Sequence, residues 1–473
     1  MFSGKTESVN FEGEVSFASR QVLTAREKNL ARKNLGLDND TLLSSIMDLV
    51  NVRAEEIYYA NKDCPNFSLC ISFDTIDFDP SADEYLGNNG GVWTKCPTMY
   101  TNIWYWTRED ANWNGTESSS SKMWIFCPHV NNLVATTTSP TSIFDYGSYQ
   151  RYCAKPESTC TEKFKIINSN TSGVEIFYCA FYQCMNVTEI WKPFDLTSAT
   201  TVERLFYNAI YLTDAGDYWY VPVSTTVKCM FFACTRLKKL PYVKADIATN
   251  ADYLFSNCYD AIVAKGFDIP NCTTVRDLYE YDFRLVEIEK LENTDKITLW
   301  HDAFDGCVSL KKMPEIIDMS GATECYGVFG YCMNLSRLPN IIWNSNHNVT
   351  TFENFIKCCS SITEIPDMEP FHYASNFNGF MSADDRYWSN PARSNPPVPM
   401  SIRVLPTWFP DHATNVEDMF YGCKKAEDGI YSMYLMLSNK STPVTNHKTC
   451  FELCGVDTVE GRNQLELIPD DWK

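Results

Sequence analysis

An aromatic residue returns along this chain at a nearly constant interval. The positions are Phe181, Phe206, Phe231, Phe255, Tyr279, Phe304, Phe329, Phe355 and Phe380, with successive differences of 25, 25, 24, 24, 25, 25, 26 and 25. Around each lies a unit reading aromatic-x-x-Cys-x-x-apolar-x-x-apolar-Pro. It is complete in Phe231, Cys234, Leu237, Leu240 and Pro241, in Phe304, Cys307, Leu310, Met313 and Pro314, and in Phe329, Cys332, Leu335, Leu338 and Pro339. Phe355, Cys358, Ile362, Ile365 and Pro366 repeat it with one extra residue after the cysteine, and Phe181, Cys184, Val187 and Ile190 repeat it more loosely. Further units begin at Phe420 and Phe451 after irregular gaps, and Ala209, Asp282 and Ala383 stand where the cysteine is expected.

A unit this short cannot bury its own apolar side. Stacked copies can, because like residues then pile into one interior along an axis. The apolar-x-x-apolar-Pro part is expected to be a short strand with proline at its end, where a missing N–H costs least. The part before the aromatic, as in Thr414, Val416 and Met419, is expected to enter a helical turn. Parallel strands lie ~4.8 Å apart, so about ten coils span roughly 50 Å.

The pattern Thr-x-Met/Leu-x-x-Met-Phe-x-x-Cys-x-x-Leu-x-x-Leu-Pro resembles the BspA-type leucine-rich repeats, best at 323–339 and 414–423 and over about 171–460. The resemblance implies an α/β repeat fold: a leucine-rich-repeat solenoid of parallel short strands and helical turns, here with a small N-terminal attachment region. Such repeats bind many things, so the fold alone names no function.

The chain has 473 residues, 20 cysteines and a formal net charge of -20. Acidity of that size repels phosphate backbones, so no nucleic-acid partner is expected. Eight of the cysteines fall at one repeat position: Cys184, Cys234, Cys258, Cys307, Cys332, Cys358, Cys423 and Cys454. They are expected to be small buried side chains in a ladder. Zinc would call for paired Cys/His knuckles, and neither metal nor cofactor is expected. No secretory leader and no membrane-spanning run are read in the sequence, so residence in a cytoplasm, or in a particle assembled there, is expected.

Residues 1–60 differ in character. Val9, Phe11, Val15 and Phe17 alternate like a strand. Thr24 with Glu27 forms a capping box and Gly36 a stop, bounding a short helix that carries Leu30 and Leu35. Leu43, Ile46, Val50, Arg53 and Ile57 then follow at heptad-like spacing, which suggests self-association. The string 23–36 resembles the Leu-Thr-x-x-x-Lys-x-x-Ala-Arg-x-Asn-Leu-Gly motif of bacteriophage tail fibres and other virion fibre proteins, where it lies near the particle-attachment end. That resemblance implies attachment to other virion proteins through Thr24, Glu27, Leu30 and Leu35.

Residues 61–170 are rich in aromatics, with Trp93, Trp104, Trp106, Trp113 and Trp124, and are expected to cap the solenoid of 171–473. An insertion near 381–415 carries Arg386, Tyr387, Trp388 and Trp408, a candidate recognition loop. Tyr218, Trp219 and Tyr220 form a second departure from the repeat. The outward positions of the strand leg, Lys238, Lys239, Lys311, Lys312 and Arg337, form a candidate basic ligand face. No catalytic motif is found: the histidines are scattered and the acidic pairs are adjacent in sequence, so a binding protein rather than an enzyme is expected. Joined, the two resemblances imply a homo-oligomeric bacteriophage fibre or appendage protein of head or tail. Its repeats would meet host-surface glycan or protein. A structural virion component and a glycan depolymerase are the alternatives.

Overall fold

In a computed structural model of the chain, the described residues are the backbone of the strands within 68–135, and residues 163–473 except 174, 176, 183–186, 347, 384–399 and 409. The helix expected to carry Thr24, Glu27, Leu30 and Leu35 therefore lies outside the described residues, as do Arg386, Tyr387, Trp388 and Cys184.

Eight strands form the first sheet: β1 (Ser68–Phe73), β2 (Glu84–Leu86), β3 (Val92–Lys95), β4 (Trp104–Thr107), β5 (Trp124–Phe126), β6 (Val130–Ala135), β7 (Phe164–Asn170) and β8 (Val187–Ile190). Their spatial order is β2-β3-β4-β5-β6-β1-β7-β8. Every pairing is antiparallel except the last, where β7 meets β8 in parallel. The register sets Tyr85, Trp93, Trp106 and Trp124 opposite one another on successive strands.

From β8 onward every pairing is parallel and runs from one coil to the next. One ladder joins β9 (Tyr218–Tyr220), β11 (Tyr242–Lys244), β13 (Phe267–Asp268) and β15 (Leu291–Glu292). A second joins β10 (Lys239–Leu240), β12 (Val263–Ala264) and β14 (Glu287–Ile288). Farther along, β16 (Ile316–Asp318) pairs with β17 (Asn340–Ile342). A third ladder is made of single bridges through Thr226, Asn250, Thr274, Leu299, Glu324, Thr351, Asn376, Asn415 and Asn446. The fold is a parallel β-solenoid.

Beside that third ladder runs a line of hydroxyls. Thr249, Thr273, Thr298, Thr323, Thr350, Ser375, Thr414 and Thr445 each donate to the carbonyl of the matching residue one coil earlier, at 3.1–3.4 Å. This is why threonine opens the repeat: a short hydroxyl reaches the neighbouring backbone, and its β-branch suits extended chain.

The expected helical turn is not there. Around each lead residue, every second backbone N–H donates to the next coil instead of to its own turn. Cys229, Phe231 and Ala233 donate to Asp252, Leu254 and Ser256 at 3.0, 3.0 and 2.8 Å. The residues two before and two after the lead hold positive φ: Cys229 and Ala233, Tyr253 and Asn257, Asp277 and Tyr281, Asp302 and Gly306. A right-handed helix admits no such residue, so the segment is a run of tight turns. Among the described residues, α-helix is confined to α1 (Ile430–Asn439) and α2 (Val459–Glu466), near the C-terminal end.

The core follows the sequence period. Phe181, Phe206, Phe231, Phe255, Tyr279, Phe304 and Phe329 are all buried, with successive ring centroids 5.3–5.9 Å apart. The next two lead positions are not Phe355 and Phe380. Phe329 N–H donates to Phe355 O and Ile356 N–H to Phe380 O, which puts Ile356 and Met381 in the lead row. Aromatic and aliphatic side chains have exchanged neighbouring buried positions, so the extra residue lies before the lead rather than after the cysteine. Cys359, not Cys358, then falls in the thiol row. The ring stack resumes at Phe420 and Phe451, 5.5 Å apart.

The thiols of that row are buried and do more than fill space. Cys234, Cys258, Cys307, Cys332 and Cys359 donate S–H to the carbonyl of the preceding coil's lead residue, at 3.2, 3.3, 3.2, 3.2 and 2.9 Å. Burial pushes every one of them above the ordinary thiol range, so none is poised as a nucleophile.

Candidate functional site

The lysine face lies on the second ladder. Register stacks Lys239 on Val263, Val263 on Glu287, and Glu287 on Lys312. The two lysine pairs are thus separated by two coils carrying Ile262, Val263, Val286 and Glu287. Carboxylates answer the charges as well. Lys238 pairs with Asp260 at 2.5 Å, Lys239 with Asp217 at 2.5 Å, and Lys312 with Glu287 at 3.5 Å. The hydrogen bonds from those lysines hold the carboxyls of Asp217 and Asp260 below their ordinary value. Lys311 and Arg337 are exposed. The lysines thus form no continuous row: apolar residues and a glutamate interrupt them, and three of the four pair with carboxylates.

Trp408, the described member of the expected recognition loop, is 5% exposed and packs on Phe371 with ring centroids 4.6 Å apart. It belongs to an aromatic cluster with Phe377 and Phe380 inside the solenoid, so its ring is not available to a ligand.

A different surface gathers functional side chains. Where the coil of β8 meets the coil of β9, a cavity of about 580 Å³ opens, lined by Trp191, Pro193, Asp214, Gly216, Tyr218 and Tyr220 among others. The sequence places these groups by simple alternation. In β9 the middle residue, Trp219, is fully buried and donates Nε1–H to Ala215 O at 2.9 Å, so Tyr218 and Tyr220 on either side must point out. They are 47% and 36% exposed, on a molecule whose lead aromatics are wholly internal.

One coil on, Tyr242 lies directly opposite Tyr218, and the two rings stack at 5.8 Å and 9°. Tyr242 donates its hydroxyl to Glu292, two coils away. The register carries it past Gly266, which has no side chain to obstruct the ring. Burial, and then the bond to Glu292, raise the Tyr242 phenol above its ordinary value, so it stays a neutral donor.

Tyr220 donates its hydroxyl to Asp246 at 2.8 Å, and Trp191 donates Nε1–H to Glu189 at 2.7 Å. One oxygen of Asp214 accepts the Gly216 N–H at 2.8 Å. Gly216 holds φ +71°, and a Cβ there would sit 3.1 Å from the Pro193 ring, so glycine keeps this wall open. The site is a shallow cleft of exposed rings bordered by acceptors whose charge is partly answered locally. Such a cleft can hold a small ligand by ring stacking and hydrogen bonds. Among the described residues no group of His, Cys, Asp and Glu is arranged to hold a metal ion.

Sequence reading singled out Tyr218, Trp219 and Tyr220 but missed Trp191, Asp214 and Tyr242. The signal for Tyr242 was present: it follows Tyr218 by one repeat length. Trp191 and Asp214 come together only through the coil stacking.

A family model described as Mycoplasma protein of unknown function, DUF285, matches residues 160–244, a stretch that contains this cleft. The match fits a BspA-type repeat protein over those coils. Among curated proteins and solved structures nothing matches the chain. Among the described residues no helix is long and apolar enough to cross a membrane.

Proposed function

We propose that this chain is a non-catalytic bacteriophage fibre or appendage protein, of head or tail, whose solenoid is displayed for recognition of a host surface. Support for the virion setting comes from the string 23–36 and its likeness to virion fibre motifs. Support for recognition comes from one observation above the others: the exposed Tyr218, stacked on the half-buried Tyr242, beside a cavity that Tyr220 and Trp191 also line. Exposed rings on a rigid element are what a binding surface needs, since little conformational freedom is lost on contact. Several copies on one particle would raise avidity through effective concentration.

Two measurements test the reading. Antibodies against the full chain should decorate intact particles at a defined place, and fluorescently labelled protein should bind host cells. Particles without label remove the virion assignment, and cells without label remove host recognition.

A second reading, a structural component packed on neighbouring virion proteins, draws on the exposed isoleucines Ile247, Ile262, Ile316 and Ile342. It expects decorated particles and bare cells.

A further inference from the structure

We infer that the cleft between the β8 and β9 coils is a binding site for a neutral saccharide. The inference deepens the host-recognition reading and rests on it for the source of the ligand, the glycan at a cell surface.

Three features select this ligand class. The first is shape. Tyr218, Tyr220 and Trp191 edge a cavity of about 580 Å³, within the ~300–1,000 Å³ of small-ligand sites. Sugar rings present C–H faces that pack on aromatic faces, and their hydroxyls need acceptors at the rim. The cleft supplies both.

The second is polarity. Acceptors outnumber donors here: the carboxylates of Asp214 and Asp217 line the cavity. The Asp214 oxygen that takes the Gly216 N–H leaves the other with its lone pairs to offer. Saccharide hydroxyls donate well to such groups.

The third is charge. Of the two carboxylates that line the cavity, Asp217 is paired with Lys239 at 2.5 Å, which leaves the single carboxylate of Asp214. Too little net charge remains at the cleft to hold a polycation. The chain as a whole carries -20, which disfavours phosphorylated, sulfated or carboxylated sugars. A neutral chain of hydroxyls fits both constraints.

The test uses the full-length protein. It is screened against immobilised neutral, sialylated and sulfated oligosaccharides and an oligolysine peptide, and hits are then titrated by calorimetry. A neutral oligosaccharide should bind, with little change between low and moderate salt. Tyr218→Ala with Tyr220→Ala should weaken it by about tenfold or more, the equivalent of 1.4 kcal/mol, while the far-UV spectrum stays that of the parent. Tyr220→Phe, which keeps the ring, should lose much less.

Failure of every neutral saccharide to bind overturns the inference. So does binding confined to anionic sugars or to oligolysine, or neutral binding that the double variant retains. If the double variant still binds host cells as the parent does, host recognition stands and this site falls. If saccharide binds but cells do not, the site stands and its assignment to a host surface falls.

Discussion

At the scale of single residues, Asp282 is the informative exception. It occupies the thiol row, is fully buried, and accepts the Cys258 N–H through Oδ1 at 2.7 Å, while Oδ2 has no partner. Its neighbours in the row donate to the carbonyl of the preceding lead residue, which for this coil is Phe255. An ionised carboxylate cannot donate. Burial holds Asp282 far above the usual carboxylate range, so in the folded chain it is the acid form, able to act as the cysteines do. Asp302 is similar: burial first, then the carboxylates of Asp305 and Asp277, push it up to about 8.

The sign of the linkage follows. Unfolded aspartate loses its proton near pH ~4, whereas these folded groups keep theirs. The folded state then binds more protons, and stability falls as pH rises from about 4 toward 8. Denaturant titrations should find the protein more stable at pH 5 than at pH 7.5, and Asp302→Asn should flatten that slope. Asp282→Cys, which restores the row, should add about 1–3 kcal/mol at neutral pH. A slope of opposite sign, or no gain, would contradict this account of the row.

At the scale of elements, the strand ladders depend on close backbone approach. Gly266 joins β12 to β13 with φ +96°, and a Cβ there would lie 1.6 Å from the Lys290 carbonyl oxygen. Gly266→Ala should therefore cost about 3 kcal/mol or more, since backbone has to move in two coils. Thermal melts of the variant would show it, and an unchanged Tm would mean the coils are looser than described.

The same scale explains what was legible. The repeat could be read because Phe on Phe and Cys on Cys are dictated by stacking, and stacking preserves spacing. The tight turns could not be read from apolar spacing. Val416, Met419, Phe420 and Cys423 are set three and four apart as on a helix, and only left-handed φ distinguishes the two. The trace it left was Asn208, Asn257, Asp277, Asp302, Asn354 and Asp418 at the turning positions, residue types that tolerate that conformation. Leads 355 and 380 were misplaced because ring identity moved one residue while the backbone register did not. Of the cleft, the outward tyrosines of β9 were visible in sequence, and the partners brought by other coils were not. The acids that answer the lysines come from other coils and leave no mark on the spacing.

At the scale of the molecule, stability is a sum of coils and the contacts between neighbours, so a coil depends most on the groups packed directly on it. For the coil of Phe451, Trp472 is such a group. It is 7% exposed, its carbonyl accepts the Phe451 N–H at 2.9 Å, and its ring lies on His447 at 4.2 Å and 3°. Trp472→Ala should cost about 3 kcal/mol. It should also raise hydrogen exchange first in the coils of Phe451 and Phe420, leaving those of Phe231 and Phe255 protected. Uniform loss of protection would show that the solenoid opens as one unit.

The hydroxyl line carries a wider consequence. Thr414 bonds the Ser375 carbonyl as Thr298 bonds that of Thr273, although 39 residues separate the first pair and 25 the second. Neighbours recognise each other by a bond and not by a count. Extra sequence can be spliced in at such a junction, or trimmed away, without the adjoining layers being rebuilt. What the protein shows to the outside is therefore free to change quickly while the scaffold that carries it stays the same.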